Sequence, residues 1–241
     1  MLQGRRDFAF GIEQATIAMQ LVRGRHFLYI GDFGHAPSTF PGPDSDYVRV
    51  LSGKWFDRFL SGFGPAFDFG VQLAPEDPAR SRFAYAAYPA LPPTRRPSFS
   101  LPGTSTIGRN GKASRVTARL HAALETFGSP VVRVPVRLSG GWSRVLAVLA
   151  AKTRAGRTIV VSDGGVNASG RSGRATLAIR LISQATLIPR GSRLRLTLAS
   201  SSLAQDPSNL LYLNLPMPRA ARISIGDARL TVPVLRHRIS R

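Results

Sequence analysis

His26-Phe27-Leu28-Tyr29-Ile30-Gly31-Asp32-Phe33-Gly34-His35 is an apolar run that ends abruptly in a Gly-His pair, and its reading decides the fold. Phe27 to Ile30 holds two aromatics and a β-branched residue without interruption, the pattern of a strand buried on both faces of a parallel sheet. Gly31 and Gly34 break the run. A glycine beside His35 lets the backbone turn sharply, so that the imidazole projects from the carboxyl edge of the sheet, where open α/β folds place their ligands. Upstream, Met1-Leu2-Gln3-Gly4-Arg5-Arg6-Asp7 repeats the plan as the tail of an apolar strand, a glycine and then an acid. Ile12, Ala15, Met19 and Val22 recur at helical spacing between the two.

The order is therefore strand, acid, helix, strand, histidine. A right-handed crossover brings both loops to the same end of a parallel sheet, so Asp7 and His35 are expected to meet. A carboxylate on one ring nitrogen fixes the tautomer and stabilises the imidazolium that forms when the other nitrogen acts as a base. The bland alternative is a surface histidine after one strand and an acid in an unrelated turn; the strand-helix-strand frame favours the paired reading.

With 241 residues and 43% hydrophobic content, the chain is long enough for one large or two modest domains, and 23 glycines with 18 prolines make it turn-rich and largely β. The absence of cysteine excludes disulfides and thiolate chemistry and leaves the compartment open. No apolar run is long enough to span a bilayer, and no cofactor or metal-ligand pattern stands out. The net charge of +20 raises nucleic-acid binding as a possibility. Its arginines, however, are scattered at strand-alternating positions with no interleaved aromatic platform, so a solvated basic surface is expected and specific nucleic-acid recognition is not.

After His35, Pro37 to Pro43 reads as a loop, Asp44 or Ser45 as a helix cap, and Tyr47, Val48, Leu51, Trp55, Phe59 and Leu60 as one face of an amphipathic helix. Asp44 and Asp46 are accounted for by capping and the helix macrodipole. The proline-dense stretch 65–113 reads as a junction with edge strands. From Ser114 the period changes to two. Val116, Ala118, Leu120, Ala122 and Leu124 are expected inside, with Arg115, Thr117, Arg119 and His121 outside. Val132 to Leu138, Leu177 to Leu181, Leu194 to Leu198 and Leu230 to Val234 follow the same rule, whereas Val145 to Ala151 and Thr158 to Val161 read as deeper strands. Asp163-Gly164-Gly165 and Asn167 to Gly173 are expected turns. The fold class is thus an α+β two-part chain: the end of an α/β sheet over 1–64, a junction over 65–113 and a mainly antiparallel β-sandwich over 114–241.

Lys54-Trp55-Phe56-Asp57-Arg58-Phe59-Leu60-Ser61-Gly62 resembles the helix that follows the catalytic histidine in the cocaine esterase and X-prolyl dipeptidyl aminopeptidase family of serine hydrolases. Gly4 to Asp7 and Gly31 to His35 are similar to that family's acid and base loops. Gly128-Ser129-Pro130-Val131-Val132 and Leu187-Ile188-Pro189-Arg190-Gly191-Ser192-Arg193-Leu194-Arg195-Leu196 are similar to segments of its C-terminal jelly-roll domain, with Ser192 where the pattern often has histidine. The resemblance implies an α/β-hydrolase remnant followed by a jelly roll, Asp7 as triad acid, His35 as base, and a small ester or X-Pro peptide as the substrate of the full-length parent. Trp55 and Phe59 are expected to pack the helix onto the sheet.

A nucleophile in a Gly-x-Ser-x-Gly turn is missing. Gly103 to Gly108 has the wrong spacing, Gly141 to Val145 lacks the second glycine, and Ser200 to Ser202 follows a sandwich strand. Met1 falls inside an expected strand and reads as an internal methionine or a misplaced start. The expectation is the C-terminal part of a serine hydrolase, inactive as these 241 residues. The alternative is a non-catalytic jelly-roll module binding carbohydrate or a protein surface. Oligomeric state is left open.

Overall fold

The computed structural model describes residues 1–36, 38–64, 66–76, 86–200 and 215–236. In chain order the elements are β1 (Leu2–Gly4), α1 (Ile12–Leu21), β2 (Phe27–Gly31), α2 (Ser45–Phe59), β3 (Gly70–Leu73), β4 (Ala86–Tyr88), β5 (Thr94–Arg95), β6 (Ser98–Leu101), β7 (Ser105–Gly108), β8 (Lys112–Arg119) and β9 (Leu124–Glu125). They continue with β10 (Val131–Ser139), β11 (Arg144–Lys152), β12 (Thr158–Asn167), β13 (Gly173–Arg180), β14 (Leu187–Ile188), β15 (Arg193–Ala199), β16 (Arg222–Ile225), β17 (Ala228–Thr231) and β18 (Val234–Leu235). The chain forms two units. The first comprises Met1–Thr94, Gln184–Thr186 and Leu235–Arg241, and the second Arg95–Ser183 and Leu187–Val234.

The sheet of the first unit has the order β1-β2-β3-β4. β1 runs parallel to β2 with Leu2 opposite Tyr29, and β2 runs parallel to β3 with Phe27 opposite Gly70. Every residue of β2 is buried, as an unbroken apolar run between two parallel neighbours requires. The expected pair of parallel strands is therefore three, closed by an antiparallel β4. Both extra strands come from the proline-dense stretch 65–113, where a junction and sandwich edges are expected. β3 is a run of only four residues, Gly-Val-Gln-Leu, and its prolines lie just outside it. α1 buries Ile12, Ala15 and Met19, while Val22 caps the helix and is exposed. α2 lays Leu51, Tyr47, Val48 and Trp55 around Phe27 and Tyr29 of β2. Trp55 meets Phe59 at 4.4 Å and Phe67 edge-on at 5.1 Å between ring centroids, so Trp55 packs as expected and Phe59 forms the outer rim of that aromatic cluster.

Among the described residues the second unit has, besides a small sheet that pairs β9 with β14, two large antiparallel sheets. In one, β10 pairs with β13 on one side and with β16 and β17 on the other, and β6 and β7 flank β17 and β16. The other has the order β12-β11-β15-β8. Inward side chains of both, including Val132, Val134, Leu177, Ile179, Leu194, Leu196 and Leu230, form one apolar core. These positions alternate as the period of two demands.

Three expectations fail here. In β8 the phase is inverted: Ala113, Arg115 and Thr117 are buried and Val116 and Ala118 exposed; beyond it Ala122 is exposed too, whereas Leu120 and Leu124 are buried as expected. Arg115 tolerates this because its guanidinium donates to the Gly103 carbonyl from Nε at 3.1 Å and Nη2 at 2.9 Å. Thr158 and Val160 are exposed, because the start of β12 alternates, with Ile159 and Val161 turned to the core, instead of being buried on both faces. Asp163-Gly164-Gly165 is no turn: these residues lie within β12 opposite Val148, Ala147 and Leu146. Gly164 is small there because a Cβ would fall 2.9 Å from Leu181 Cα and closer still to the Arg180 carbonyl oxygen.

Candidate active site

Asp7 follows β1 and His35 follows β2. Parallel pairing of the two strands puts both loops at the carboxyl ends, and the side chains meet with His35 Nδ1 at 2.8 Å from Asp7 Oδ2. The same oxygen accepts the His35 backbone N–H at 3.2 Å, and Oδ1 accepts the N–H groups of Ala9 at 2.8 Å and Phe10 at 2.9 Å. Four donors thus converge on one carboxylate whose side chain is 7% exposed, whereas the His35 side chain is 55% exposed. A carboxylate accepts and does not donate, so Nδ1 carries a proton, and whenever the ring is neutral Nε2 is its lone-pair nitrogen. Phe10 and Phe8 flank the ring at centroid distances of 5.5 and 6.3 Å.

Two glycines make this approach possible. Gly34 has φ +109°, and a Cβ there would sit 2.8 Å from Asp7 Oδ2. At Gly4 a Cβ would collide with the Phe33 carbonyl oxygen and lie 3.1 Å from Asp7 Cβ. The Gly-His and Gly-x-x-Asp patterns are thus explained by how closely the two loops pack.

Behind the pair lies a polar scaffold that sequence reasoning missed. Arg5 is fully buried; its Nε donates to the Ala185 carbonyl at 2.9 Å, Nη1 donates to the Ala74 carbonyl, and Nη2 lies 3.9 Å from Glu76. Arg6 pairs with Glu76 at 3.1 Å and with Asp32 at 3.4 Å. Asp32 also accepts the Ser38 hydroxyl at 2.7 Å, so one carboxylate ties the acid loop to the segment that follows His35. Asp44 stands at the N-cap of α2 as expected, but makes no side-chain capping bond to the helix; its Oδ2 accepts the Asp32 N–H at 2.6 Å. Burial, reinforced by the neighbouring Asp44 carboxylate, pushes the Tyr29 hydroxyl far above its ordinary value, so it remains a neutral donor beside that acid.

The serines weighed as nucleophiles lie elsewhere. Ser105 begins β7, Ser143 is buried, and the Ser200 hydroxyl donates to the Arg109 carbonyl, all in the second unit; Ser201 and Ser202 lie outside the described residues. Among the described residues His35 Nε2 has no hydroxyl partner. Among them also, no cluster of three or more His, Asp or Glu side chains is placed to hold a metal, and no helix is long and apolar enough to cross a membrane. His121 is exposed, as expected of a bystander.

No protein-family model matches the sequence, and no curated protein does. Solved structures match in fold. A CocE/NonD family hydrolase from Staphylococcus aureus aligns with TM-score 0.64 at 13% identity over 87% of this chain and 49% of its own. An aminopeptidase from a marine sediment archaeon, Thaumarchaeota archaeon, aligns with TM-score 0.70 at 12% identity over 97% of this chain and 54% of its own. An alpha-amino acid ester hydrolase aligns with TM-score 0.54 at 13% identity over 92% and 52%. The chain therefore spans about half the length of the structures it matches. In fold, it is similar to hydrolases of the family that its helix and strand motifs resemble.

Proposed function

We propose that this chain supplies the acid and base of a serine hydrolase of the acyl-enzyme type, with Asp7 as the orienting acid and His35 as the proton shuttle. The observation that carries the reading is the Asp7–His35 contact of 2.8 Å, with the carboxylate saturated by donors and Nε2 left open. In this reading Met1–Thr94 is the end of an α/β-hydrolase domain and the second unit a jelly-roll sandwich.

In the reaction a serine hydroxyl attacks the substrate carbonyl while His35 Nε2 takes its proton. The ring passes that proton to the departing alcohol or amine, and water then repeats the sequence to release the acid. Asp7 keeps Nδ1 protonated throughout and stabilises the transient imidazolium. Esters and X-Pro amides both satisfy this scheme. The sequence holds no Gly-x-Ser-x-Gly turn, so in this reading the nucleophile and the oxyanion-hole donors are supplied from outside these 241 residues. The 241-residue chain is accordingly expected to turn over no ester, and turnover blocked by a serine-reactive phosphonate would contradict this.

The functional test begins with the coding DNA upstream of the Met1 codon. An open frame encoding a Gly-x-Ser-x-Gly turn between a strand and a helix is expected, with esterase or X-prolyl peptidase activity in the longer product. Asp7→Asn should lower kcat by about 10⁴-fold. Full activity in a His35→Gln variant would overturn the assignment.

A further inference from the structure

The arginines that are scattered along the sequence do not stay scattered in the fold. Antiparallel register places Arg137 of β10 directly opposite Arg174 of β13, and Arg133 of β10 opposite Arg229 of β17. All four are exposed and share the outer face of one sheet, because their strand neighbours Val132, Val134, Val136 and Leu138 point into the core. Like charges directly opposite one another destabilise a sheet unless something answers them. Among the described residues, no hydrogen bond or ion pair engages any of the four guanidinium groups, and no acid shares their rows. Of the acids of this unit, Glu125 and Asp163 are buried, and Asp227, exposed beside Gly226, accepts the Gly103 N–H at 2.7 Å. Asp206 is outside the described residues.

A shallow, open cleft of about 450 Å³ lies at the same place, where β10 passes from pairing with β17 to pairing with β16 and Gly226 N–H bonds the Pro135 carbonyl. Arg137 and Arg174 line it together with the hydroxyl-bearing Thr104, Thr176 and Ser224. Ser224 faces Arg137 across one strand pair, and its hydroxyl meets that of Thr106 at 2.8 Å on the other side. The Gly103–Thr104 corner is held from below by the buried Arg115.

We infer that this face binds an acidic polysaccharide, a sugar chain bearing carboxylate or sulfate groups, with one anionic group seated between Arg137 and Arg174. Guanidinium groups recognise planar oxyanions in bidentate fashion, and the surrounding hydroxyls suit sugar hydroxyls. The second pair, Arg133 and Arg229, lies four residues along β10, about 13 Å at the rise of a strand, so the face repeats its charge as a polymer does. Single-stranded nucleic acid is disfavoured because, among the described residues, this face carries no aromatic ring on which a base stacks. The inference is independent of the hydrolase reading.

The test is a binding titration of the 241-residue protein at about 0.15 M salt, where weak surface attraction is screened. The probes are polygalacturonate, dextran sulfate, neutral dextran and a single-stranded oligonucleotide. The double variant Arg137→Gln/Arg174→Gln is compared with Arg157→Gln/Arg171→Gln, which removes the same charge from exposed turns outside the cleft. At least one anionic polysaccharide is expected to bind, neutral dextran is not, and the cleft variant should lose about tenfold or more while the turn variant loses less than about threefold. Which polysaccharide binds more tightly distinguishes carboxylate from sulfate. Equal losses in the two variants, no polysaccharide binding by the parent protein, or tighter binding of the oligonucleotide would each overturn the proposal.

Discussion

The loops around the Asp7–His35 pair and the outer face of the β10 sheet use the same charged residue in opposite ways. In the first, Arg5 and Arg6 are drawn into a network with Glu76, Asp32 and backbone carbonyls beneath the Asp7–His35 pair. In the second, Arg133, Arg137, Arg174 and Arg229 stand on an open sheet face with no acid in their rows. The difference follows from strand type. Parallel strands buried on both faces leave polar groups only the loops at their ends, where side chains from several loops converge and must satisfy one another. Antiparallel strands covered on one face send every second residue outward, where like charges accumulate by register alone. Chemistry that needs preorganised partners belongs to the first arrangement, and attraction of an extended charged ligand to the second.

The contrast can be broken by removing one residue of each kind. Arg5→Ala strips two carbonyls and Glu76 of a fully buried donor and is expected to destabilise the first unit by about 3–5 kcal/mol, read by denaturant unfolding. Leu196→Ala, in the core of the second unit, should cost about 2–5 kcal/mol by leaving a cavity. Arg133→Gln, on the open face, should change stability by less than about 0.5 kcal/mol, or raise it slightly by relieving the pair with Arg229. Equal effects of Arg5→Ala and Arg133→Gln would erase the distinction.

Tyr29 sharpens it through pH. Its hydroxyl is held neutral in the folded protein to higher pH than in the unfolded chain, so above about pH 10 the unfolded state loses a proton that the native state keeps. Stability should therefore fall as pH rises through that range. Tyr29→Phe should flatten the fall, and an unchanged slope in the variant would contradict it.

Much of this was legible in the sequence, and the exceptions have physical causes. The Phe27 to Ile30 strand and the glycines before His35 and Asp7 announce the parallel frame because only a buried strand and a close loop approach call for those residues. The scaffold of Arg5, Arg6, Asp32 and Glu76 was not legible, since which cation meets which acid depends on how far each loop folds back. Arg115 misled because alternation was read by residue type, and a buried arginine supplied with carbonyls inverts the phase of β8. Asp163-Gly164-Gly165 misled because glycine serves close backbone approach as well as turns. The clustering of arginines was hidden for a related reason: cross-strand register, not sequence proximity, sets which ones are neighbours.

The central claim, that Asp7 presets His35 as a base, is tested most directly by nitrogen-edited NMR of the imidazole tautomer at about pH 8.5, above the ordinary titration range of histidine. His35→Gln assigns its signals among the four histidines. The account predicts an Nδ1–H tautomer for His35 with Nε2 unprotonated, and reversal to Nε2–H in Asp7→Asn, whose amide can donate to Nδ1. An Nε2–H tautomer in the parent protein, or the same tautomer in both proteins, would contradict it.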